Sequence, residues 1–434
     1  MSTSGDGKNS IMNTSAPHST HRLFIRRARR LFGLLLSREH FRGGLFELFI
    51  ALLPKLQRTD LIRWDSSRPL YVEVEGRYHF FLEKPQDPIS AVRFAHLAGP
   101  RTVDPFFSVL LEDVRLIGPW GVPVTRKGQI IIEPLGIDYF KQIIEMTVAE
   151  LGLLATLRQY LLALFPVLEK SREPLALAAH LIARGGHQAQ FGHWVGEQLP
   201  QLRAISAMEK AIAQEVPLLI NSDPSRWQLQ TLKAMGFERN STIVYSGRSQ
   251  RVSRLVLSSL RNVHSRAMEI DPRARRWVVA KIRDVNAANH RETDGDGKLF
   301  VLRQSDKTRC VTNADEVRSV LHGDGFEEFF PASKAKADEI VQLRRVGTFL
   351  GVFGSGLMNA LFMPGLGQLV EIFGPHQSDR FVFYYLAAEL GIGYQSIAAN
   401  AVENALGCRD ALEVPTARLS QVCAQLQSSS RGVE

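Results

Sequence analysis

The amino-acid sequence predicts an α/β fold with two Rossmann-like domains and an N-terminal extension of helices and short strands. A chain of 434 residues is longer than one core usually holds, and two domains of roughly 150–200 residues each fit that length. A hydrophobic content of 45% with 22% charged residues is typical of a globular protein. Short apolar runs alternate with helical patterns in two regions, which indicates parallel sheets covered by helices.

The first half of the chain begins with a β-rich stretch and continues into alternating helices and strands. Leu70, Val72 and Val74 alternate with polar residues and share one face of a predicted strand. Leucines at spacings of three and four predict the helix that follows the β-rich stretch. The elements are, in order, strands at 70–74, 111–118 and 128–134, helices at 136–168 and after Gly192, a strand at 216–220, a helix at 225–235 and a strand at 241–245.

The second half repeats this alternation more regularly. Residues 251–290 are rich in arginine and helical in pattern, and we expect them to connect the two domains. Asn313 is placed to cap a helix, with Glu316 three residues later in the position of a capping box. The elements are strands at 298–302, 326–330, 349–353 and 368–373, with helices at 313–321, 336–346 and from 357 onward. This order predicts a Rossmann-like half.

The N-terminal region combines basic and apolar residues. Residues 1–20 are predicted to form a disordered tail. The chain has a net charge of +9, and residues 21–30 alone contain five arginines. Apolar runs at 31–36 and 45–53 follow, so residues 22–53 are expected either to lie on the inner surface of a membrane or to cap the first domain. Neither run reaches the ~20 residues of a spanning helix, and no signal-peptide pattern is present.

The cysteine and aspartate patterns predict neither a metal site nor a disulfide framework. Cys310, Cys408 and Cys423 lack the spacing of metal ligands and of disulfide scaffolds, and the cytoplasm is the expected compartment. The Asp-Gly-Asp-Gly stretch at 294–297 lacks the full calcium-loop pattern and predicts a turn.

A glycine turn follows the predicted strand 349–353. Gly354, Ser355 and Gly356 would allow backbone N–H groups to approach an anion, although this pattern is also common in simple tight turns. It lacks the third glycine of a dinucleotide fingerprint and the Lys-Ser/Thr pair of a P-loop. Glu371 lies on the next predicted strand, where its carboxylate is either a ligand for ribose hydroxyls or an exposed acid at a strand end.

Two further groups of residues are candidates for chemistry. Arg303, Lys307 and Arg309 follow the strand 298–302, where they either bind phosphate or belong to a solvated loop of mixed charge. His193 and Glu197 are four residues apart, which places them on one face of a helix. One of them could deprotonate a hydroxyl group, and the alternative is a structural pair.

Four motifs in this order resemble glycosyltransferase family 61, whose bacterial members include capsular polysaccharide biosynthesis proteins. The resemblance covers about residues 110–400, and its most specific part is the last motif. The motifs are His193 to Pro200, then Gln228 with Leu232 to Gly236, then Arg303, Ser305, Arg309 and Asn313, and finally Gly354 to Glu371.

The resemblance implies a GT-B fold, in which two Rossmann-like domains face a cleft. The corresponding regions are an acceptor-side domain at 57–250, an interdomain region at 251–290, a donor domain at 291–415 and a tail at 416–434, after the tail 1–20 and the segment 21–56. The family implies transfer with inversion and without an obligatory metal, from a nucleoside-diphosphate sugar, with a UDP-sugar as the expected donor. Glu197 or His193 would act as base, and the donor contacts would be Arg303, Ser305, Arg309, Gly354, Ser355, Gly356, Leu357, Asn359 and Glu371.

The implied acceptor is a glycan or lipid-linked glycan of a cell-surface or capsular polysaccharide. Phe353 stands where the family usually has His, and the Asn that often precedes the His-Trp motif is absent. A non-catalytic nucleotide-sugar-binding or scaffold protein is therefore the alternative function. Nucleic acid is not an expected partner, because the arginine cluster lacks interleaved aromatic residues. The sequence does not define an oligomeric state.

Overall fold

Two sheets, one mixed and one parallel, organise the described part of the chain. The computed structural model describes residues 55–56, 61, 70–132, 137–152, 155–156, 158–160, 173–182, 190–237, 242–259, 272–285, 295–303, 308–331, 336–365, 367–403 and 408–431. Both sheets belong to one compact unit, residues 55–434. The predicted tail, the proposed membrane-contacting residues 22–53, Ser305 and Lys307 lie outside the described residues.

The strands and helices are numbered here along the chain. The strands are β1 (Lys55–Leu56), β2 (Tyr71–Glu75), β3 (Tyr78–Leu82), β4 (Gly99–Val103), β5 (Phe106–Ile117), β6 (Val122–Val124), β7 (Ile130–Ile131), β8 (Leu175–His180), β9 (Leu218–Ile220), β10 (Thr242–Val244), β11 (Gln250–Ser258), β12 (Gly297–Val301), β13 (Glu327–Glu328), β14 (Val346–Val352), β15 (Gln368–Phe373), β16 (Gly393–Ala398), β17 (Asn400–Val402) and β18 (Ala411–Glu413). The helices are α1 (Pro88–Phe94), α2 (Ile137–Leu151), α3 (Phe191–His193), α4 (Gln201–Ile212), α5 (Arg226–Ala234), α6 (Pro272–Val285), α7 (Ala314–Gly323), α8 (Lys336–Leu343), α9 (Val382–Leu390) and α10 (Thr416–Arg431).

The first sheet is mixed. Its order is β1-β7-β6-β5-β11-β8-β9-β10, with β2 paired to β5. The predicted parallel arrangement is present in β11, β8, β9 and β10. In contrast, β5 runs antiparallel to β11, β2 and β6. A short connection joins β5 to β6, as antiparallel neighbours allow. The α/β class is therefore confirmed, and the parallel arrangement holds for only part of this sheet.

The prediction of helix over the start of residues 251–290 is wrong. Residues up to Ser258 form β11, which pairs with β5 on one side and with β8 on the other. Arg251 reaches Asp113 on the neighbouring strand, while Val252, Leu255 and Val256 are buried. Pairing on both sides buries these branched side chains, which overrides the local helical pattern. The later part of the region is helical, as α6.

The second sheet is parallel throughout its described strands, in the order β13-β12-β14-β15-β16. Numbered by their sequence within this half, the strands lie in the doubly wound order 2-1-3-4-5. The chain therefore reverses direction across the sheet between β12 and β14, which is the topological switch point. Successive side chains enter two cores, because both faces are covered: Leu299, Phe349 and Leu369 lie in one, and Phe300, Leu350 and Val370 in the other.

Two predicted helix starts differ in how they are capped. Before α5, Ser225 and Gln228 form a capping box in which the Ser225 backbone N–H donates to Gln228 Oε1 at 2.8 Å. The predicted box before α7 is wrong. The Asn313 amide instead bridges to Val414, donating to its carbonyl at 2.9 Å and accepting from its N–H at 3.0 Å. The Asn313 side chain therefore binds the distant backbone at Val414 and does not cap α7.

An arm made of the β3–β4 hairpin and α1 joins the first half of the chain to the second sheet. Asp87, at the N-cap of α1, accepts hydrogen bonds from the backbone N–H groups of Ser90 at 2.8 Å and of Ser396 in β16 at 3.3 Å. The Ser90 and Ser396 hydroxyl oxygens lie 2.8 Å apart. These contacts fix α1 on the edge strand of the second sheet.

The cysteine spacing led us to expect no disulfide, and this expectation is wrong. Cys310 and Cys408 form a disulfide across 98 residues of sequence. Cys423 is a buried free thiol in α10, and burial raises its pKa to about 12. The pairing depends on chain segments that approach only in the folded state. Within the described residues, no helix has the length and apolar character needed to cross a membrane.

Candidate functional site

Arg303 and the glycine turn meet at the switch point of the second sheet. Arg303 follows β12 by two residues, and Gly354 follows β14 by two residues. A Cβ atom placed on Gly354 would lie 3.7 Å from Arg303 Cζ, so the guanidinium group lies directly against the turn. Ligands of doubly wound sheets bind in this crevice at the carboxyl ends of the strands. The sequence prediction that these two segments converge is confirmed.

Close packing beneath the turn requires glycine. A Cβ atom on Gly351 would lie 2.5 Å from Val301 Cγ1 and 2.7 Å from the Val301 carbonyl oxygen, so a larger residue would push β12 and β14 apart. The helix expected from Leu357 onward is a 3₁₀ helix, Ser355–Phe362. Asn359 is fully buried in it and donates from Nδ2 to the Gly356 carbonyl at 2.9 Å. Asn359 therefore supports the turn from below.

Arg309 brings a second guanidinium group to the same place. Its Cζ lies 5.4 Å from the centroid of the Phe353 ring, which directly precedes Gly354. Burial and, to a lesser extent, the neighbouring charge of Arg303 lower the pKa of Arg309 to about 10, and Asp410 opposes both effects. Two cations held close together in a partly buried crevice create a strong preference for an anion.

Phe353 occupies the position where the related family usually has histidine. Its ring packs edge to face against Phe383 at a centroid distance of 5.3 Å, and its backbone N–H donates to the Ile372 carbonyl at 2.8 Å. The ring contributes no hydrogen bond to the crevice. Instead it provides the apolar surface over which the Arg309 guanidinium lies.

His193 and Glu197 form the imidazole–carboxylate pair that their spacing predicts. His193 Nδ1 and Glu197 Oε1 are 2.8 Å apart, and the side chains are 11% and 0% exposed respectively. The pair spans α3 and a π-helix, Trp194–Gln198, in which Trp194 Nε1 donates to Thr231 Oγ1 at 2.7 Å. Single π-helical turns often occur at functional sites. Of the two side chains, the imidazole is nearer to solvent.

Gly192 brings this pair to the glycine turn. A Cβ atom on Gly192 would lie 3.0 Å from Met358 Cγ and 3.6 Å from Ser355 Oγ, so α3 packs directly on the 3₁₀ helix. Two segments separated by about 160 residues of sequence therefore form adjacent walls of one site. The relevant signal in the sequence was the glycine before His193, which the functional interpretation did not use.

Glu371 lies inside the fold, where other side chains pair with its carboxylate. It is fully buried, so the alternative of an exposed strand-end acid is wrong. Its carboxylate oxygens lie 3.5 Å from the Arg93 guanidinium and accept a hydrogen bond from the Tyr394 hydroxyl. Burial raises the pKa of Glu371, while Arg93 and then Tyr394 oppose that rise. A ribose could contact this carboxylate only if these partners moved.

Arg93 and Asp410 were not predicted from the sequence. Arg93 also donates to the backbone carbonyls of Gln377 and Ser378 at 3.1 Å, and its guanidinium lies 3.5 Å from the centroid of the Phe373 ring. Nothing in the local sequence distinguishes Arg93 from the other arginines of the chain. Its role depends on contacts with residues almost 300 positions away.

The fold and the site together define an α/β protein with a cationic, glycine-lined crevice at a switch point and an imidazole–carboxylate pair beside it. Residues 191–368 match the family model Glycosyltransferase 61. The match begins at α3 and contains both walls of the site, and it confirms the resemblance to this family and indicates a glycosyltransferase. No curated protein matches the chain.

Proposed function

We propose that the protein is an inverting glycosyltransferase that uses a nucleoside-diphosphate sugar, with a UDP-sugar as the expected donor. The observation that carries this proposal is the meeting of Arg303, Arg309 and the glycine turn at the switch point, directly beside the His193–Glu197 pair. Arg303 and Arg309 would bind the diphosphate, and backbone N–H groups at Gly354–Leu357 would add hydrogen bonds. Ser305, outside the described residues, remains a proposed donor contact through the family resemblance.

His193 is the proposed base, with Glu197 as the residue that orients it. The Glu197 side chain is fully buried, whereas that of His193 is 11% exposed, so the imidazole is the better placed of the two groups to meet an acceptor hydroxyl. A carboxylate on Nδ1 favours one ring tautomer and stabilises the imidazolium that forms on protonation. The proposal therefore gives the role of base to His193, where the sequence leaves both residues as candidates.

The proposed reaction is a single displacement. The acceptor hydroxyl transfers its proton to His193 as its oxygen bonds to the anomeric carbon on the face opposite the diphosphate. The bond from the anomeric carbon to the diphosphate oxygen breaks, and its electron pair leaves with the diphosphate. Arg303 and Arg309 would stabilise the negative charge that develops on that group. Inversion follows because the incoming and leaving oxygens occupy opposite faces.

The acceptor is proposed to be a glycan or a lipid-linked glycan of a cell-surface polysaccharide. A groove of about 660 Å³ between α4 and α6 supports a saccharide acceptor. Its lining includes the half-buried indole of Trp277 and the cationic side chains of Arg203, Lys210 and Lys281. Glu209 and Glu215 line it as well, so the groove offers groups of both charges to a polar saccharide acceptor. The two sheets are the proposed counterparts of the acceptor and donor domains of a GT-B fold.

The proposed compartment and the proposed metal independence derive from the sequence, and the disulfide bears on the first of them. A cytoplasmic enzyme at the inner membrane surface follows from the basic N-terminal sequence and from the implied acceptor. The Cys310–Cys408 disulfide counts against a reducing cytoplasm, since disulfides persist mainly in oxidising compartments. Metal-independent transfer is proposed from the family resemblance alone.

Binding of UDP and sugar transfer from a panel of UDP-sugars test the proposal. Arg309→Ala should weaken UDP binding about 10- to 100-fold, because a hydrogen bond to a charged group contributes ~1.5–3 kcal/mol. His193→Ala should leave UDP binding unchanged and lower the transfer rate about 10²- to 10⁴-fold. Arg126→Ala, at an arginine whose side chain is 82% exposed, is the matched control for charge. Normal transfer in both site variants would refute the assignment.

A non-catalytic nucleotide-sugar-binding protein is the second candidate, and Phe353 favours it. On this view the chain binds UDP without turnover of any donor. Phe353→His restores the residue that the related family usually carries. If the wild-type protein is inactive and this variant transfers sugar, the second candidate is correct. If the wild-type protein transfers sugar, the second candidate is excluded.

A further inference from the structure

The disulfide adjoins the proposed diphosphate site. Cys310 directly follows Arg309, and the disulfide connects it to Cys408 in the segment before β18. The two segments run side by side, with the Arg309 N–H donating to the Arg409 carbonyl at 2.8 Å and the Leu412 N–H donating to the Cys310 carbonyl at 2.8 Å. The Arg309 backbone is therefore held by a covalent link and by hydrogen bonds on both sides of it.

Arg309 has a backbone conformation that needs such support. Its φ angle is +59°, in the left-handed region that few residues other than glycine adopt. Asp410, opposite Arg309 in the paired segment, has a φ angle of +60°. Conformations of this kind cost about 1–3 kcal/mol each and persist where the surrounding structure imposes them. Removing the link would favour relaxation to a more common conformation.

The position of the guanidinium group depends on this backbone. The Arg309 side chain lies over Phe353 and beside Arg303, at the carboxyl ends of β12 and β14. A change in φ at the Cα atom would swing the whole side chain away from Phe353. Charge repulsion between the two arginines would assist that movement, because the nearby charge of Arg303 disfavours the charged state of Arg309.

We infer that the Cys310–Cys408 disulfide is a positioning element of the donor site, which holds Arg309 in place so that affinity for a nucleoside diphosphate depends on the oxidation of these two cysteines. This inference rests on the proposed function, since it assigns a diphosphate to the site. Dithiothreitol breaks this disulfide by reduction. It supplies two electrons and two protons, the S–S bond becomes two thiols, and the reagent becomes a cyclic disulfide.

The first measurement does not need a ligand. Phenylglyoxal labels accessible arginines, and peptide mapping by mass spectrometry measures the labelling of each one in the oxidised and reduced full chain. The labelling rate of Arg309 should rise at least threefold on reduction, while that of exposed Arg126 should not change. An unchanged rate at Arg309, or the absence of a Cys310–Cys408 peptide before reduction, would overturn the inference.

The second measurement is UDP binding by calorimetry. Reduction of the wild-type protein, or the double substitution Cys310→Ser and Cys408→Ser, should raise the dissociation constant about 5- to 30-fold. Cys423→Ser is the matched control, because this buried thiol is not in a disulfide, and should leave the constant unchanged. A purely structural disulfide would act independently of Arg309, so the Arg309→Ala background decides between the two roles.

In that background, reduction should have almost no further effect on UDP binding, since the group that the disulfide positions is gone. An equal loss of affinity on reduction, with and without Arg309, would overturn the positioning role. If the oxidised wild-type protein binds no nucleoside diphosphate at all, the proposed function fails. The labelling result then still shows whether the disulfide holds Arg309.

Discussion

The buried pair of Arg93 and Glu371 allows a sharp test of what Glu371 does. The Arg93 side chain is 5% exposed and that of Glu371 is 0% exposed, so neither charge can be solvated if its partner is removed. Arg93→Met keeps most of the side-chain volume and removes the charge. Breaking a buried ion pair in this way costs about 3–5 kcal/mol, because the remaining charge is left uncompensated.

Glu371→Gln should cost less than Arg93→Met. Arg93 would still donate to the backbone carbonyls of Gln377 and Ser378 and would still lie over the Phe373 ring. Loss of one charged hydrogen-bond acceptor then costs about 1–3 kcal/mol. In the double variant no unpaired charge remains, so its loss of stability should be smaller than the sum of the two single losses.

The raised pKa of Glu371 predicts how the destabilisation caused by Arg93→Met changes with pH. Burial raises the pKa of Glu371 above its ordinary value, and Arg93 is the largest influence that opposes this rise. A carboxyl group whose folded-state pKa is raised contributes its full stability below the unfolded pKa and loses it as the pH rises towards the folded pKa. Arg93→Met should therefore destabilise the protein less at pH 5 than at pH 8.

Urea unfolding of the wild type, both single variants and the double variant at pH 5 and pH 8 measures these differences. Equal destabilisation by Arg93→Met at both pH values, or a double variant as unstable as the sum of the singles, would refute the argument. UDP binding by the same proteins tests the predicted ribose contact. A folded, stable Glu371→Gln protein with strongly weakened UDP binding would show that Glu371 serves the donor and not the fold.

Three further predictions concern other parts of the molecule. Phe353→Leu removes the ring under Arg309 and should weaken UDP binding about 2- to 30-fold, since a cation–π contact contributes ~0.5–2 kcal/mol; calorimetry with unchanged affinity would contradict this. Burial lowers the pKa of His180 to about 4, and its Nε2 lies 3.0 Å from the Gly121 carbonyl oxygen. The stability that neutral His180 contributes should therefore be lost as the pH falls from about 6.5 to 4. In urea unfolding, His180→Gln should reduce the change in the free energy of unfolding over this pH range by about 3 kcal/mol. Trp277→Ala should raise KM for the acceptor and leave KM for the donor unchanged; the reverse pattern in steady-state kinetics would exclude the groove as the acceptor site.

Local patterns were sufficient for most of the second half of the chain. The strands β12, β14 and β15 and the helices α7 and α8 lie close to their predicted positions, because each has a regular apolar period bounded by glycine or a polar cap. The pairing of His193 with Glu197 also followed from spacing alone, since residues four apart share a face of a helix. The convergence of Arg303 with the glycine turn followed from the rule that parallel strands end at one edge.

Other features depend on contacts between distant segments. The strand β11 was predicted as helix, because its pairing with β5 and β8 on either side cannot be inferred from its own residues. The capping residue Asn313 is used by Val414, about 100 positions away. Arg93 carries no local sign that it will neutralise Glu371.

The sequence by itself determined the α/β class, the family resemblance and the residues that form the two walls of the site, because these depend on periodicity and on short motifs. Only the tertiary structure decided how those residues are held. It placed Gly192 against Ser355, buried Glu371 beneath Arg93, and joined Cys310 to Cys408 beside Arg309. Each of these contacts links segments that are far apart in sequence. Their energies arise from burial and close packing, which exist only after the chain has folded.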